Sequence, residues 1–406
     1  MSDIGREPDM PPLALRDFTV VTSLGAGRAA TAAALREGCS GLRPCTFDAV
    51  PFASYVGEIA GLDAAPLEGH VAGFDCRNHR LAALALGQDG FADSVAAARE
   101  RYGAERIGVF LGTSTSGLLQ TELAYRRRDA QTGALPADFD YARTHNSYSL
   151  ARFVRAALHL AGPAFVVSTA CAATAKVFGS AARMIAAGLC DAAVVGGADT
   201  LCATTLYGFH SLGVMSDEPC RPFDVERRGI SIGEAAGFVL LERPADRAGE
   251  DTVLLLGVGE STDAYHMSSP HPDGVGARLA MERALEAAGL RAADIDYINL
   301  HGTATPIGDA AEDRAVADVF GARTPCSSTK GFAGHALGAS GVVEAAFCAL
   351  GILHGFMPGS PHTRTVDPGF RSGYVREGGP ARVDRVLSNS FGFGGANCTV
   401  ALGRGS

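Results

Sequence analysis

Cys171 is the residue with the clearest chemical potential, in the stretch Phe165-Val-Val-Ser-Thr-Ala-Cys171-Ala-Ala-Thr-Ala-Lys176. Residues 165–169 are β-branched and aromatic and read as a short buried strand. Beyond Cys171 the chain turns to Ala, Met and Ile through about Leu189, which reads as a helix. Cys171 therefore stands at a strand-to-helix corner, beside a helix N-terminus. Unpaired backbone N–H groups and the positive end of the macrodipole favour a thiolate there, and the thiolate is the nucleophilic form. A small buried thiol filling a core corner gives the same pattern. This stretch by itself leaves both readings open.

Two of the eleven histidines lie in similar settings. His301 opens His301-Gly-Thr-Ala-Thr-Pro-Ile-Gly-Asp309, and His335 sits within Lys330-Gly-Phe-Ala-Gly-His-Ala-Leu-Gly-Ala-Ser-Gly341. Their small neighbours let a substrate or backbone approach each imidazole closely. One histidine on such a turn is commonly a hydrogen-bonded turn residue. Two of them with a corner cysteine point towards catalysis. HxxH and CxxC spacings are absent, so no metal centre is expected.

These residues need a scaffold. With 406 residues, 47 % hydrophobic and 19 % charged, the chain has ample material for a folded core. A net charge of −9 argues against general nucleic-acid binding. The polar N-terminus lacks an apolar signal region. The most apolar window, 341–357, is interrupted by Glu344, Gly351, His354 and Gly355, so it reads as a buried helix rather than a membrane span. The ten cysteines are scattered and read as reduced thiols, which fits a cytoplasmic protein. Gly25-Ala-Gly27 after a first strand invites a nucleotide reading, but the third glycine and the downstream acidic residue of that fingerprint are missing.

Strands are expected near 17–24, 107–111, 165–169, 191–197 and 237–242, with helices near 29–37, 78–102 and 149–160. A second series follows a polar linker at 243–251: strands near 253–259, 295–300, 386–389 and 399–402, with helices near 276–289, 311–320 and 342–354. Alternation of this kind predicts an α/β fold with βαβ crossovers. The element order recurs in two halves, roughly 1–245 and 250–406.

Further motifs fall between these elements: Val195-Gly-Gly-Ala198, Arg221-Pro-Phe-Asp224 with Gly229, Asp263-Ala-Tyr-His-Met-Ser-Ser-Pro270, Asp309 with Glu312, and Asn389-Ser-Phe-Gly-Phe-Gly-Gly395 with Asn397. Taken with the Cys171, His301 and Lys330–Ala339 stretches, and in this order, they resemble the elongating β-ketoacyl-acyl-carrier-protein synthases of the thiolase superfamily over nearly the whole chain. The resemblance implies a thiolase-like five-layered αβαβα fold of two pseudo-repeated halves. It also implies decarboxylative Claisen condensation of an acyl thioester with a malonyl group on acyl carrier protein.

By the same resemblance, Cys171 takes the acyl group, and the backbone N–H groups of Cys171 and Phe393 form an oxyanion hole. Each such donor lowers the barrier by about 3–4 kcal/mol. His301 and His335 donate to the malonyl thioester oxygen as carbon dioxide leaves. Lys330 and Glu312 form a supporting charged pair. Thr303 and Thr305 hold the pantetheine arm, which arrives on the carrier, so no free cofactor is implied. Phe393 and Phe391 gate the acyl pocket, and Phe209 and Thr115 line it. Thr115 stands where elongating fatty-acid enzymes often carry a larger apolar residue, and Phe223 replaces the usual tryptophan of its loop. These departures hint at a specialised polyketide or polyene pathway.

The resemblance also implies partners. Acyl carrier proteins are acidic, so a basic docking patch is expected; Arg77, Arg80 and the Arg126, Arg127, Arg128 cluster are the candidates. A homodimer, or a heterodimer with a related ketosynthase-like subunit, is expected. Two alternatives are a non-catalytic chain-length-setting subunit, which typically lacks the cysteine, and a thiolase acting on coenzyme A esters. A thiolase would need a second catalytic cysteine, and Cys398 is not in a Cys-x-Gly setting.

Overall fold

The computed structural model describes residues 10–244 and 249–405. The expected loose start, over residues 1–9, and the centre of the polar linker, 245–248, lie outside the described residues.

Two halves of the chain build the same strand pattern. In the first half, β1 (Leu13–Thr22), β2 (Ile107–Gly112), β3 (Ala164–Val167), β4 (Ala192–Asp199) and β5 (Ala235–Glu242) lie in the order β1-β5-β4-β2-β3. The β1/β5 and β5/β4 pairs are antiparallel, and β4/β2 and β2/β3 are parallel. The second half repeats this with β6 (Val253–Thr262), β7 (Tyr297–Asn299), β8 (Pro325–Ser327), β9 (Gly373–Tyr374), β10 (Arg385–Gly392) and β11 (Ala396–Arg404). Their order is β6-β11-β10-β7-β8-β9, again two antiparallel pairs and then parallel ones, with β9 as an added edge. The halves meet where Leu13–Leu15 pair with Val253–Leu255.

Helices Ala173–Ala186 and Ser340–His354 pack on each other and on strands of both halves, forming the middle layer. Residues Ser340 to Ile352 of the second are all buried, as an all-round apolar helix requires. The two helices approach closely at Gly341, where a Cβ would fall 2.5 Å from Ala175 N. Leu337–His354 is apolar and long enough to cross a membrane, but 89 % of it is buried inside the protein. Helices Arg77–Leu86, Phe91–Tyr102 and Tyr148–Ala157 cover the outer face of the first half. Val275–Ala288 and Pro306–Phe320 cover that of the second. The result is the five-layer arrangement that the family resemblance implies.

Two local differences have physical causes. The single helix expected over 78–102 is two, broken at Gly87–Gly90 with positive φ at Asp89 (59°) and Gly90 (73°). The Asp89 carboxylate accepts from Arg28 N at 3.0 Å, at the N-terminus of helix Arg28–Glu37. A carboxylate thus occupies the place where a nucleotide phosphate would lie, which removes the nucleotide reading of Gly25-Ala-Gly27. Helix Ala203–Ser211 is unanticipated because its Thr-Thr and Gly residues are poor helix formers. It is capped from a distance by Glu122, which accepts from Ala203 N at 3.0 Å and Thr204 N at 2.6 Å.

Candidate active site

Strand β3 ends just before Cys171, and helix Ala173–Ala186 begins two residues after it. Between them Ala170 adopts φ 49°, a sharp turn that points the Cys171 side chain inwards. His301 follows β7, and His335 follows the short helical turn Lys330–Ala333. The fold brings the three together: Cys171 Sγ lies 3.0 Å from His335 Nε2, and the two imidazoles stand edge to face with ring centroids 5.3 Å apart.

All three are buried. Burial pushes the Cys171 thiol up to about 11, although Lys330 and the backbone N–H groups of Phe393 and Cys171 pull it down. The helix N-terminus expected to favour a thiolate is in place, but desolvation outweighs it. Burial, then Lys330, holds both histidines well below their usual range, so they are neutral near pH 7. A neutral imidazole carries one N–H to donate.

Lys330 is 2 % exposed, and its Nζ lies 3.4 Å from His301 Nδ1. Its carboxylate partner is Glu344, not Glu312 as the resemblance implied. Glu344 comes from the middle helix, where the sequence shows it only as a charged interruption of an apolar run and nothing local names its partner. Glu312 instead holds the backbone of the His301 turn, accepting from His301 N at 2.8 Å and Gly302 N at 2.7 Å. Asn389 Nδ2 donates to it at 3.2 Å. Asp309 binds Ala304 N and Phe223 N in the same way, and burial raises it to about 7.

A cavity of about 350 Å³ leads to this cluster. It is lined by Thr303, Thr305, Phe209, Phe391 and Phe393, all singled out from the sequence. The Thr303 and Thr305 hydroxyls are hydrogen-bonded to each other at 2.9 Å. The Phe209 and Phe393 rings meet at 5.7 Å, and Phe391 lies 6.0 Å from His301. Leu212, Val214, Ile230 and Ile307 also line it. Sequence reasoning missed these four, because single aliphatics in loops and helix starts look like core.

Other expected site residues lie elsewhere. Thr115 does not line this cavity; its hydroxyl and N–H both donate to the buried Asp199 carboxylate, at 2.8 and 2.7 Å. Arg77 is 2 % exposed and bonded to Glu234 through Nε and Nη2, so it offers no docking surface. Arg80 is paired with Asp75, Arg126 with Asp48 and Arg127 with Asp138. Arg128 is exposed and has no ion pair among the described residues.

The family model for the β-ketoacyl synthase N-terminal domain matches residues 77–247, and that for the C-terminal domain matches residues 253–364. A mitochondrial 3-oxoacyl-[acyl-carrier-protein] synthase of Arabidopsis thaliana is 42 % identical over 257 residues, which span 59 % of this chain and about half (56 %) of the plant protein. The 3-oxoacyl-[acyl-carrier-protein] synthase 2 of Rhizobium meliloti is 38 % identical over 315 residues, 73 % of this chain and 74 % of that protein. A solved ketosynthase (ApeO) in complex with its chain length factor (ApeC), from Xenorhabdus doucetiae, contains a chain that superposes with TM-score 0.88 at 36 % identity. That match covers 97 % of this chain and 98 % of the other. The chain belongs to the β-ketoacyl synthase family. It is an acyltransferase of the ketosynthase class, condensing an acyl thioester with malonyl-acyl carrier protein to give a β-ketoacyl product.

Proposed function

We propose that Cys171, His301 and His335 divide this condensation between two half-reactions. The Cys171 sulfur attacks the acyl thioester carbonyl, the carrier thiol leaves with the cysteine proton, and an acyl-enzyme remains. The backbone N–H groups of Cys171 and Phe393 serve the oxyanion, acting where charge develops. A malonyl-carrier then enters past Thr303 and Thr305, carrying its own pantetheine. The bond to the malonyl carboxylate breaks, carbon dioxide leaves, and the electron pair moves towards the thioester oxygen. His301 and His335 donate to that oxygen as its charge grows, so their binding energy counts in the transition state. The enolate carbon attacks the acyl-Cys171 carbonyl, the C–S bond breaks, and the departing thiolate takes a proton from solvent to restore the Cys171 thiol.

One observation carries this reading: a buried thiol 3.0 Å from one neutral imidazole, with a second imidazole edge-on beside it, at the end of an apolar cavity. A catalytically silent chain-length subunit would have no need of that arrangement. The test is a single-turnover assay with purified acyl- and malonyl-carrier. The reading predicts a β-ketoacyl-carrier two carbons longer than the acyl donor. It further predicts that His301→Ala and His335→Ala each accumulate acyl-enzyme without condensing. Condensation at the wild-type rate by either variant would refute the assignment.

The same reading extends to partner and pathway. Strand β3 ends the sheet, and its residues Ala164–Val167 are half-buried, as a strand edge prepared for a second subunit would be. The ketosynthase–chain length factor likeness supports a related subunit as that partner, in a specialised polyketide or polyene system of the cytoplasm. Native mass spectrometry after co-expression with candidate partners would test this; a strictly monomeric, fully active chain would refute it.

A further inference from the structure

Both imidazoles are neutral, so each holds its single proton on one of two nitrogens. Which one decides whether it can donate into the cavity. For His301 the choice follows from Lys330, whose Nζ faces Nδ1 at 3.4 Å. An ammonium only donates, so Nδ1 accepts and the proton sits on Nε2. His335 has no such cation at its Nδ1. It has Ser340 Oγ at 2.8 Å.

Ser340 opens helix Ser340–His354 and is 2 % exposed. Among the described residues its hydroxyl has one hydrogen-bond partner, His335 Nδ1. Were the proton on Nδ1, the serine would accept it, and its own O–H would be left buried without an acceptor, an arrangement that folded proteins rarely leave. The arrangement that satisfies both groups has Ser340 donating to Nδ1. That puts the His335 proton on Nε2, 3.0 Å from the Cys171 sulfur and facing the cavity.

The turn that presents Ser340 is clamped on both sides. Asp199 Oδ2 accepts from Ala339 N at 3.0 Å. Thr174, three residues after Cys171, donates through its hydroxyl to Gly338 O at 2.6 Å and accepts from Val342 N at 3.0 Å. Ser340 lies between these anchors, so its hydroxyl is fixed relative to the helix that carries the nucleophile.

We propose that Ser340 is a positioning residue that sets the tautomer of His335, doing for that imidazole what Lys330 does for His301. This rests on the donor role proposed for His335, and the test separates the two. Wild-type protein labelled with 15N-histidine is compared by NMR with Ser340→Ala, Ser340→Thr and His335→Ala, the last assigning the His335 signals. Malonyl-carrier decarboxylation is measured alongside. Expected are a protonated Nε2 in wild type, mixed tautomers in Ser340→Ala, and a decarboxylation kcat about tenfold lower with KM little changed, the scale of one orienting hydrogen bond. The Ser340→Thr hydroxyl restores part of the rate. A merely structural serine would alter thermal stability and leave the tautomer unchanged. A wild-type His335 protonated on Nδ1, a reading that needs no variant to fold, overturns the inference. So does wild-type decarboxylation by Ser340→Ala while His335→Ala is inactive. Wild-type decarboxylation by His335→Ala itself would instead overturn the donor role.

Discussion

Lys330 and Glu344 form an ion pair between the His301–His335 cluster and the middle helix, with both side chains buried. Burial pushes the Glu344 carboxyl up to about 7, against the pull of Lys330 beside it. Glu344→Gln leaves an ammonium buried without its counter-charge. Breaking such a pair costs about 3–5 kcal/mol, and denaturant unfolding should show a loss of that order. A change below about 1 kcal/mol would mean that the pair is not formed.

The Cys171 thiol, raised to about 11, gives a pH prediction. A higher thiol pKa requires more alkaline solution for the same thiolate fraction. Iodoacetamide alkylation of Cys171, with Cys171→Ala to subtract the other thiols, should therefore rise by about tenfold per pH unit from 7 to 9.5. A plateau near pH 7 would show that the helix N-terminus and Lys330 outweigh burial.

Phe393 contributes two separable groups, a backbone N–H beside the Cys171 sulfur and a ring against Phe209. The turn that carries it has positive φ at Gly394 (80°) and Gly395 (75°), so it bends without a side-chain penalty. Phe393→Ala keeps the N–H and removes the ring. Acyl-enzyme should still form, while malonyl decarboxylation without condensation increases severalfold relative to product. Unchanged coupling would show that the ring gates nothing.

Among the arginines proposed for carrier docking, burial separates two outcomes. Arg77→Ala strands the buried Glu234 carboxylate and should cost about 3–5 kcal/mol of stability. Arg128→Glu should leave stability unchanged, raise KM for carrier-bound acyl groups by about tenfold at low salt, and spare small acyl thioesters. Equal loss with both substrate types would exclude Arg128 from docking.

Much of the fold and of the candidate site is legible in the sequence. Cys171, His301 and His335 stand out by corner position and glycine-rich flanks, alternating strands and helices point to an α/β fold, and the family resemblance supplies the five layers and the residue roles. What the sequence hid was pairing over distance. Glu344 reads as an interruption of an apolar helix until Lys330 is placed beside it. Thr115 reads as a pocket residue until Asp199 claims its hydroxyl and N–H. Arg77 reads as a surface charge until Glu234 buries it. Helix Ala203–Ser211 is invisible because its cap, Glu122, lies some eighty residues upstream.

The most direct test of the central claim is intact-mass spectrometry after incubation with a panel of acyl-carrier thioesters, followed by malonyl-carrier. Cys171 as acyl acceptor predicts one acyl increment on the wild-type chain, none on Cys171→Ala, and loss of the increment once malonyl-carrier is added. An equal increment on Cys171→Ala, or a folded wild-type chain that no carrier acylates, would contradict it.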